Sequence, residues 1–455
     1  MNHTASRRTF LQHSVSAALL AANQESALND ILPEDWLTLS ESSNVATAAN
    51  DEEYWRLVKR QFFIEDGLTY LNSGTYGPTL RTAYDSVSGT MRDFGTNYIK
   101  TFRATLTGDA VPKFIGKLAA FAGAKPDEIA LTSGTTEAMN YIANGLDLKA
   151  GDEILTTRHE HQGGLYPWLL KAKRHGVVVK QIDLASPAVS HADILERLSK
   201  AFTPRTRVLS FSHINYTDGS LMPARELCQL ARERGVISVV DGAQSLGMLD
   251  FKISDLNCDF FAASWHKWMC APYGTGLLFV RDEMRDRLWP TTVLSYSGWD
   301  TQDRDGNDAS VTDITYAGNY PKALLKYSSN IEYFGPLYWA IAHVVDFNQL
   351  IGRAHVAARI KTLAERAYTG LREIPNVKVY SPSDAALRTG LISFQPQGIS
   401  TSDLYFKMTN EMRIVGRFVK HAGIGFDVNR FSTNIFNTPE QVDAAVAAVR
   451  ANVKA

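Results

Sequence analysis

The sequence predicts an α/β protein: a mostly parallel, mixed sheet covered by helices, followed by a smaller α+β unit at the C-terminal end. Three observations predict it. Short β-rich apolar runs recur from about residue 115, helix-like segments lie between most of them, and after a polar stretch at 294–320 the alternation gives way to one helical stretch and a mixed tail. Strands are expected at 128–132, 153–157, 177–182, 208–211, 236–240, 260–263 and 276–280. Helices are expected at 136–146, 191–202 and 224–234 between them, and at 335–350 after the turn-rich 294–320, which reads as a long loop. Alternation of this kind argues for a largely parallel sheet covered on both faces. In such sheets ligands lie beyond the carboxyl ends of the strands, where loops lead into helices.

Composition bounds the function. The chain has 455 residues, is 45% hydrophobic and 21% charged, and so carries enough apolar material for a large core. A net charge of -1 with no Lys/Arg-rich run argues against a nucleic-acid partner. Cys228, Cys258 and Cys270 form no CxxC pair, so neither a disulfide framework nor a thiolate metal site is expected, and the three read as buried small hydrophobes. No apolar run approaches the roughly 20 residues that cross a bilayer, so no membrane span is expected.

The N-terminus reads as an address. Arg7-Arg8 precedes Phe10-Leu11 and a short small-and-apolar stretch, a pattern like a twin-arginine export signal; an amphipathic first helix would look similar. No Lys or Arg then occurs until Arg56, while acids accumulate, so the segment reads as a tether. The expected organisation is a signal at 1–27, an acidic tether at 28–55, an N-terminal segment at 56–80, a large domain at 81–324 and a small domain at 325–455.

Three strand ends carry groups with chemistry in them. The strand ending at Thr132 leads through Ser133-Gly134-Thr135-Thr136 into a helix, where free N–H groups, hydroxyls and the positive dipole end form an anion cradle. A plain Ser/Thr N-cap reads the same way. A second strand ends in Asp241-Gly242-Ala243-Gln244, and an isolated Asp there also serves as an N-cap. A third ends in Ser264-Trp265-His266-Lys267. Lysine set among Trp265, Trp268 and Met269 should be partly desolvated, which lowers its pKa and favours the free amine that forms a Schiff base; a snorkelling surface lysine is the alternative.

Together these motifs resemble the class V aminotransferase family of fold-type I pyridoxal-phosphate enzymes. The resemblance covers about 70–445 and rests on DGAQSLG at 241–247 and HKWMCAPYGTGLL at 266–278, with TSGTTEA at 132–138, EHQGGLYPW at 160–168 and NRFSTNIFNT at 429–438 in support. It implies pyridoxal 5′-phosphate as cofactor, carried by Lys267, which would also move the substrate α-proton. Asp241 would pair with the pyridine nitrogen, His161 would stack on the ring and Gln244 would bond the ring O3′. Gly134, Thr135, Thr136, Ser264 and His266 would hold the phosphate. Arg430 would take the substrate carboxylate as a fork, a surface ion pair being its bland alternative. Asn72 and Tyr76, in NSGTYGP at 72–78, would lie on the substrate side. An amino-acid-type or peptide-derived substrate and a homodimer are implied as well.

Departures narrow the resemblance. The cysteine desulfurases of the family need a nucleophilic Cys shortly before the Arg430 motif, and 414–429 has none. HINYTDG at 213–219 puts Tyr216 where desulfurases have Asn, with Asn215 as the candidate substitute. A Gly-Thr pair through which the partner subunit contacts the phosphate is replaced by Ser329-Asn330. The combination of an export signal with this fold resembles periplasmic enzymes that tailor pyoverdine siderophore side chains. An epimerase like isopenicillin N epimerase, and a cofactor-binding module without catalysis, remain open. Aromatic residues of 294–340 suit either an entrance for a bulky substrate or a core or interface.

Overall fold

The computed structural model describes residues 51–106, 109–292, 321–328 and 335–453. The expected signal, most of the tether, the 294–320 loop and Ser329-Asn330 lie outside these residues.

The first described helix, Glu52–Arg60, begins inside the stretch expected as a tether. Asp51 explains the start: its carboxylate accepts the N–H groups of Glu53 and Tyr54, and Glu52 and Glu53 sit favourably in the first turn. Tyr54, Trp55 and Val58 form one apolar face and are buried.

All seven expected strands form, in a seven-stranded sheet. They are β2 (Ile129–Thr132), β3 (Glu153–Thr157), β4 (Val178–Ile182), β5 (Thr206–Ser212), β6 (Ile237–Asp241), β7 (Phe260–Ser264) and β8 (Gly276–Val280); a short β1 (Thr69–Tyr70) precedes them. The order is β2-β8-β7-β6-β5-β3-β4, and only β8 runs against its neighbours. Every residue of β2, β3, β6, β7 and β8 is buried, as a sheet covered on both faces requires. Helices Thr135–Gly145, His191–Ala201, Ala224–Glu233 and Pro336–Ile351 fall within a residue or so of expectation. Register aligns the strand ends: Ser212 pairs with Asp241 and Asp241 with Ala262, while Thr132 and Ser264 both pair with Gly276.

The C-terminal part is α+β. Strands β9 (Val377–Val379), β10 (Leu391–Pro396), β12 (Arg417–His421) and β13 (Phe426–Ser432) make an antiparallel sheet in the order β12-β13-β10-β9, and β11 (Ile414–Val415) pairs in parallel with β1. Helices Arg353–Arg372, Thr401–Met412 and Pro439–Asn452 pack their apolar faces into this sheet's core. Residues after β1 run between the two parts. Ser432 N–H donates to Leu71 C=O, while Gly77 N–H donates to His266 C=O and Leu80 N–H to Cys270 C=O. That path brings the C-terminal sheet to the carboxyl ends of the large sheet. Tyr327 is buried and Tyr338 and Trp339 pack on the core, so these aromatic residues are core.

Candidate active site

A cavity of about 630 Å3 opens at the carboxyl ends of β2, β6 and β7, with β12 and β13 forming its opposite wall. Lys267 stands three residues beyond β7 on a turn held from several sides. Trp265 and Trp268 are buried on either side of it, Gly77 bonds His266 C=O, and Cys270 N–H donates to Lys267 C=O. Its amine is thus aimed by packing, and no described residue hydrogen-bonds it. Burial pulls its pKa down to about 8; the Arg430 charge adds to this and Asp241 opposes it.

Asp241 ends β6 and is 5% exposed. Its Oδ1 accepts Ala243 N–H at 2.9 Å, while no described donor reaches Oδ2. Burial raises its pKa, against the Ala243 N–H and the Lys267 charge. A buried carboxylate with one free oxygen calls for a cationic N–H donor, which would hold it ionised. Glycine at 164 permits this: a Cβ there would stand 2.9 Å from Oδ2.

The cradle is built as the sequence suggests. Ser264 Oγ accepts Thr135 N–H at 3.0 Å and lies 2.8 Å from Thr135 Oγ1. His266 Nδ1 lies 2.9 Å from Thr275 C=O, which fixes the proton there and leaves Nε2 without it; burial, then Lys267, lower its pKa to about 4. Gly134 matters for space, since a Cβ would come within 3.2 Å of His266 Cε1. Thr136 lines the cavity beside them. Hydroxyls, a helix N-terminus and a confined hollow suit a phosphate, and the free Asp241 oxygen suits a ring N–H. These residues fit pyridoxal 5′-phosphate.

His161 caps the helix Gln162–His175, its Nδ1 accepting Gly163 N–H at 3.1 Å. It faces the open cavity, yet protein surrounds it closely enough that burial, helped by Lys267, lowers its pKa to about 4. It is a neutral ring, edge-on to Tyr216 at 5.0 Å between centroids. Gln244 is constrained: Oε1 accepts Trp268 Nε1–H at 2.8 Å and Nε2 donates to Gly74 C=O at 2.9 Å, leaving one N–H for a ligand.

Arg430 of β13 is 3% exposed, so the surface ion-pair alternative does not hold. Nη1 donates to Tyr216 C=O at 2.8 Å and the buried Nε lacks a partner, leaving fork capacity for an anion. Burial, then Arg417, bring its pKa down to about 10. Tyr76 lines the cavity, with its ring 5.7 Å from that of Tyr273.

The structure brings together every expected site residue except two. Asn72 does not line the cavity; its carbonyl closes a turn by accepting the N–H groups of Thr75 and Tyr76. Asn215 is folded into the turn after β5, where its N–H donates to Ser220 C=O and its C=O accepts Gly219 N–H. Sequence reasoning missed Tyr216 and Tyr273 as lining residues, and missed Arg417, Phe418, Val419 and Lys420 of β12 altogether. The β12 pattern alternates weakly over five residues, too short a signal to assign a strand. All three cysteines are buried and free, with thiols pushed above the ordinary range, Cys228 to about 12. No described helix is long and apolar enough to cross a membrane.

Comparison with known proteins agrees with this geometry. A family model described as aminotransferase class-V matches residues 103–445. The isopenicillin N epimerase of Streptomyces clavuligerus is 29% identical over 409 residues, covering 87% of this chain and 98% of that protein. A cysteine desulfurase of Haloferax volcanii is 31% identical over 357 residues, covering 75% of this chain and 77% of that protein. A C-DES mutant solved with glycine covalently linked to its PLP cofactor superposes with a TM-score of 0.73 at 23% identity, covering 86% of this chain and 98% of its own. The apo cysteine desulfurase of Thermococcus onnurineus gives 0.72 at 23%, covering 87% and 97%. At that identity the two structures speak for the fold.

Proposed function

The chain belongs to the class V aminotransferase family, and on that premise we propose that it is a pyridoxal-phosphate-dependent enzyme that transaminates an amino-acid-type substrate. The observation that carries this reading is a half-buried lysine with no hydrogen-bond partner among the described residues, sharing one cavity with a half-free buried carboxylate and an arginine fork. When bound, the cofactor takes up the electron pair left on the substrate α-carbon as a bond to it breaks.

The chain's own residues do the rest. Lys267 Nζ holds the cofactor and then, as a free amine, takes the proton from the α-carbon and returns it elsewhere. Asp241 Oδ2 would keep a proton on the ring nitrogen. The neutral His161 ring would pack against the cofactor, and Gln244 would offer its remaining N–H to the ring oxygen. Gly134, Thr135, Thr136, Ser264 and His266 would hold the phosphate. Arg430 binds the substrate carboxylate and so sets which α-substituent meets Lys267. Turnover requires an oxo-acid acceptor.

A second reading, epimerisation at the same carbon, has one observation in its favour: the isopenicillin N epimerase relative is matched over 98% of its length. One experiment separates the two. In deuterated water without an oxo acid, a transaminase converts the cofactor stoichiometrically to pyridoxamine phosphate. Racemised, labelled substrate with no pyridoxamine phosphate would instead establish the epimerase. Borohydride reduction and peptide mapping test the shared premise: a Lys267 peptide free of cofactor defeats catalysis of either kind and leaves a non-catalytic module.

The finer physiological reading is a periplasmic enzyme tailoring siderophore side chains of the pyoverdine type. It is supported by Arg7-Arg8 and by 414–429 lacking the Cys that desulfurases require. Amine-donor profiling of periplasmic extracts with and without Lys267→Ala tests it; unchanged profiles would sink it. A homodimer is supported by the exposed apolar side chains Tyr84, Met91, Tyr98 and Ile99, and light scattering at the mass of one chain would refute it.

A further inference from the structure

The β12–β13 ladder sets Arg417 directly opposite Arg430. Both side chains line the same cavity. Like charges in direct cross-strand register destabilise a sheet unless something offsets them. Nothing in the described protein does. The Arg417 side chain has no ion pair or hydrogen bond among the described residues. Neighbouring bases behave differently: Arg413 pairs with Glu65 at 2.9 Å and Lys420 with Asp427 at 3.5 Å.

The cavity's acids do not neutralise it. Asp241 ends β6, and its Oδ1 accepts Ala243 N–H. Glu137 is engaged twice, accepting Ser133 N–H and Tyr141 O–H. The two arginines also differ in depth. Arg430 is 3% exposed, whereas Arg417 is exposed on the edge strand of its sheet. One carboxylate at Arg430 therefore leaves a second, outer cation unmatched.

We propose that Arg417 binds a second anionic group of the substrate, away from the reacting carbon, so that the site selects amino acids carrying a distal carboxylate or similar acid. This rests on the reading that Arg430 takes the carboxylate at the reacting carbon. The guanidinium fork then meets the second acid at the rim, where an uncharged isostere gains nothing. Specificity arises from leaving a neutral side chain opposite an unpaired cation.

The test uses the holoenzyme and two probes of one shape, L-glutamate and L-glutamine, with binding read from the cofactor's visible absorbance and no turnover required. The expected result is glutamate binding at least about tenfold more tightly than glutamine, with the preference shrinking as salt rises. Arg417→Gln should abolish the preference by weakening glutamate while glutamine changes less than about twofold; Arg417→Lys should retain part of it. The thermal midpoint of Arg417→Gln should stay level or rise, because a like-charge pair is relieved, whereas a purely structural arginine would lower it. Equal binding of both probes by the unaltered enzyme, or equal weakening of both by Arg417→Gln, overturns the proposal. Arg430→Gln distinguishes the premise: it should weaken both probes alike, and if it weakens neither, the carboxylate assignment beneath the proposal has failed.

Discussion

Lys267 couples to its surroundings through a single proton, which makes its behaviour with pH informative. A lysine ammonium has no lone pair with which to capture an aldehyde, so only the neutral amine reacts. Burial moves its folded-state pKa from the ordinary 10.5 to about 8. The rate of cofactor capture by the cofactor-free protein should therefore rise about tenfold per pH unit below 8 and level off above it. Asp241 is the influence holding that pKa up, so Asp241→Asn should shift the inflection to lower pH. Stopped-flow absorbance across pH 6–10 checks both. A rate still climbing toward pH 10 would mean that the amine is not desolvated. Lys267→Ala should retain no borohydride-fixed cofactor and lose at least about 10²–10⁴ in turnover.

At the scale of elements, the site depends on how closely the helix Gln162–His175 passes β6. A Cβ at position 164 would stand 2.9 Å from Asp241 Oδ2, and Asp241 cannot swing freely because Ala243 N–H holds its other oxygen. Gly164→Ala gains roughly 0.5–1 kcal/mol in helix propensity but loses about 1–3 to overpacking. Net destabilisation, together with cofactor affinity reduced about tenfold or more, is expected from calorimetry and equilibrium dialysis. Gly116→Ala is the control, because its Cβ would meet nothing within 4 Å, and it should stabilise by about 0.5–1 kcal/mol. Equal effects at both positions would show that the contact with Asp241 does not matter. The same scale explains what the sequence made legible. Strands β2, β6 and β7 are short apolar runs that close on Thr132, Asp241 and Ser264, so Asp241, Ser264 and the Lys267 that follows were readable from order alone. Arg417 was not, since β12 is a five-residue edge strand and its importance comes from the register with Arg430, a pairing no local pattern encodes. Asn215 stands outside the cavity lining because its backbone is held in the turn after β5, a placement that the motif does not encode.

For the molecule as a whole, the helix Glu52–Arg60 is a tie between parts far apart in sequence. Arg359 is 1% exposed, and both of its terminal nitrogens reach Glu52, one of them also donating to Asn437 C=O at 2.9 Å; its guanidinium lies 5.2 Å from the Trp55 ring. A buried guanidinium stripped of its carboxylate costs about 3–5 kcal/mol, less here because Glu52 is 27% exposed, so Glu52→Gln should destabilise by about 2–3 kcal/mol. Deletion through residue 60 does more, since it removes Glu52 together with the buried Tyr54, Trp55 and Val58. At about 1.5–3 kcal/mol for each buried side chain, the loss is comparable with the roughly 5–15 kcal/mol that stabilises a whole domain. A chain beginning at residue 51 keeps Asp51 and the capped helix intact. It should therefore melt within a few degrees of the full chain, whereas one beginning at residue 61 should aggregate or melt far lower. The two deletions also divide export from folding, because Arg7 and Arg8 are absent from both. If those arginines direct export, the chain from residue 51 stays in the cytoplasm as a folded protein that still binds its cofactor, as does the full chain carrying Arg7→Lys and Arg8→Lys. Recovery of either in the periplasmic fraction would disprove the signal, and equal melting of the two truncated chains would disprove the tie.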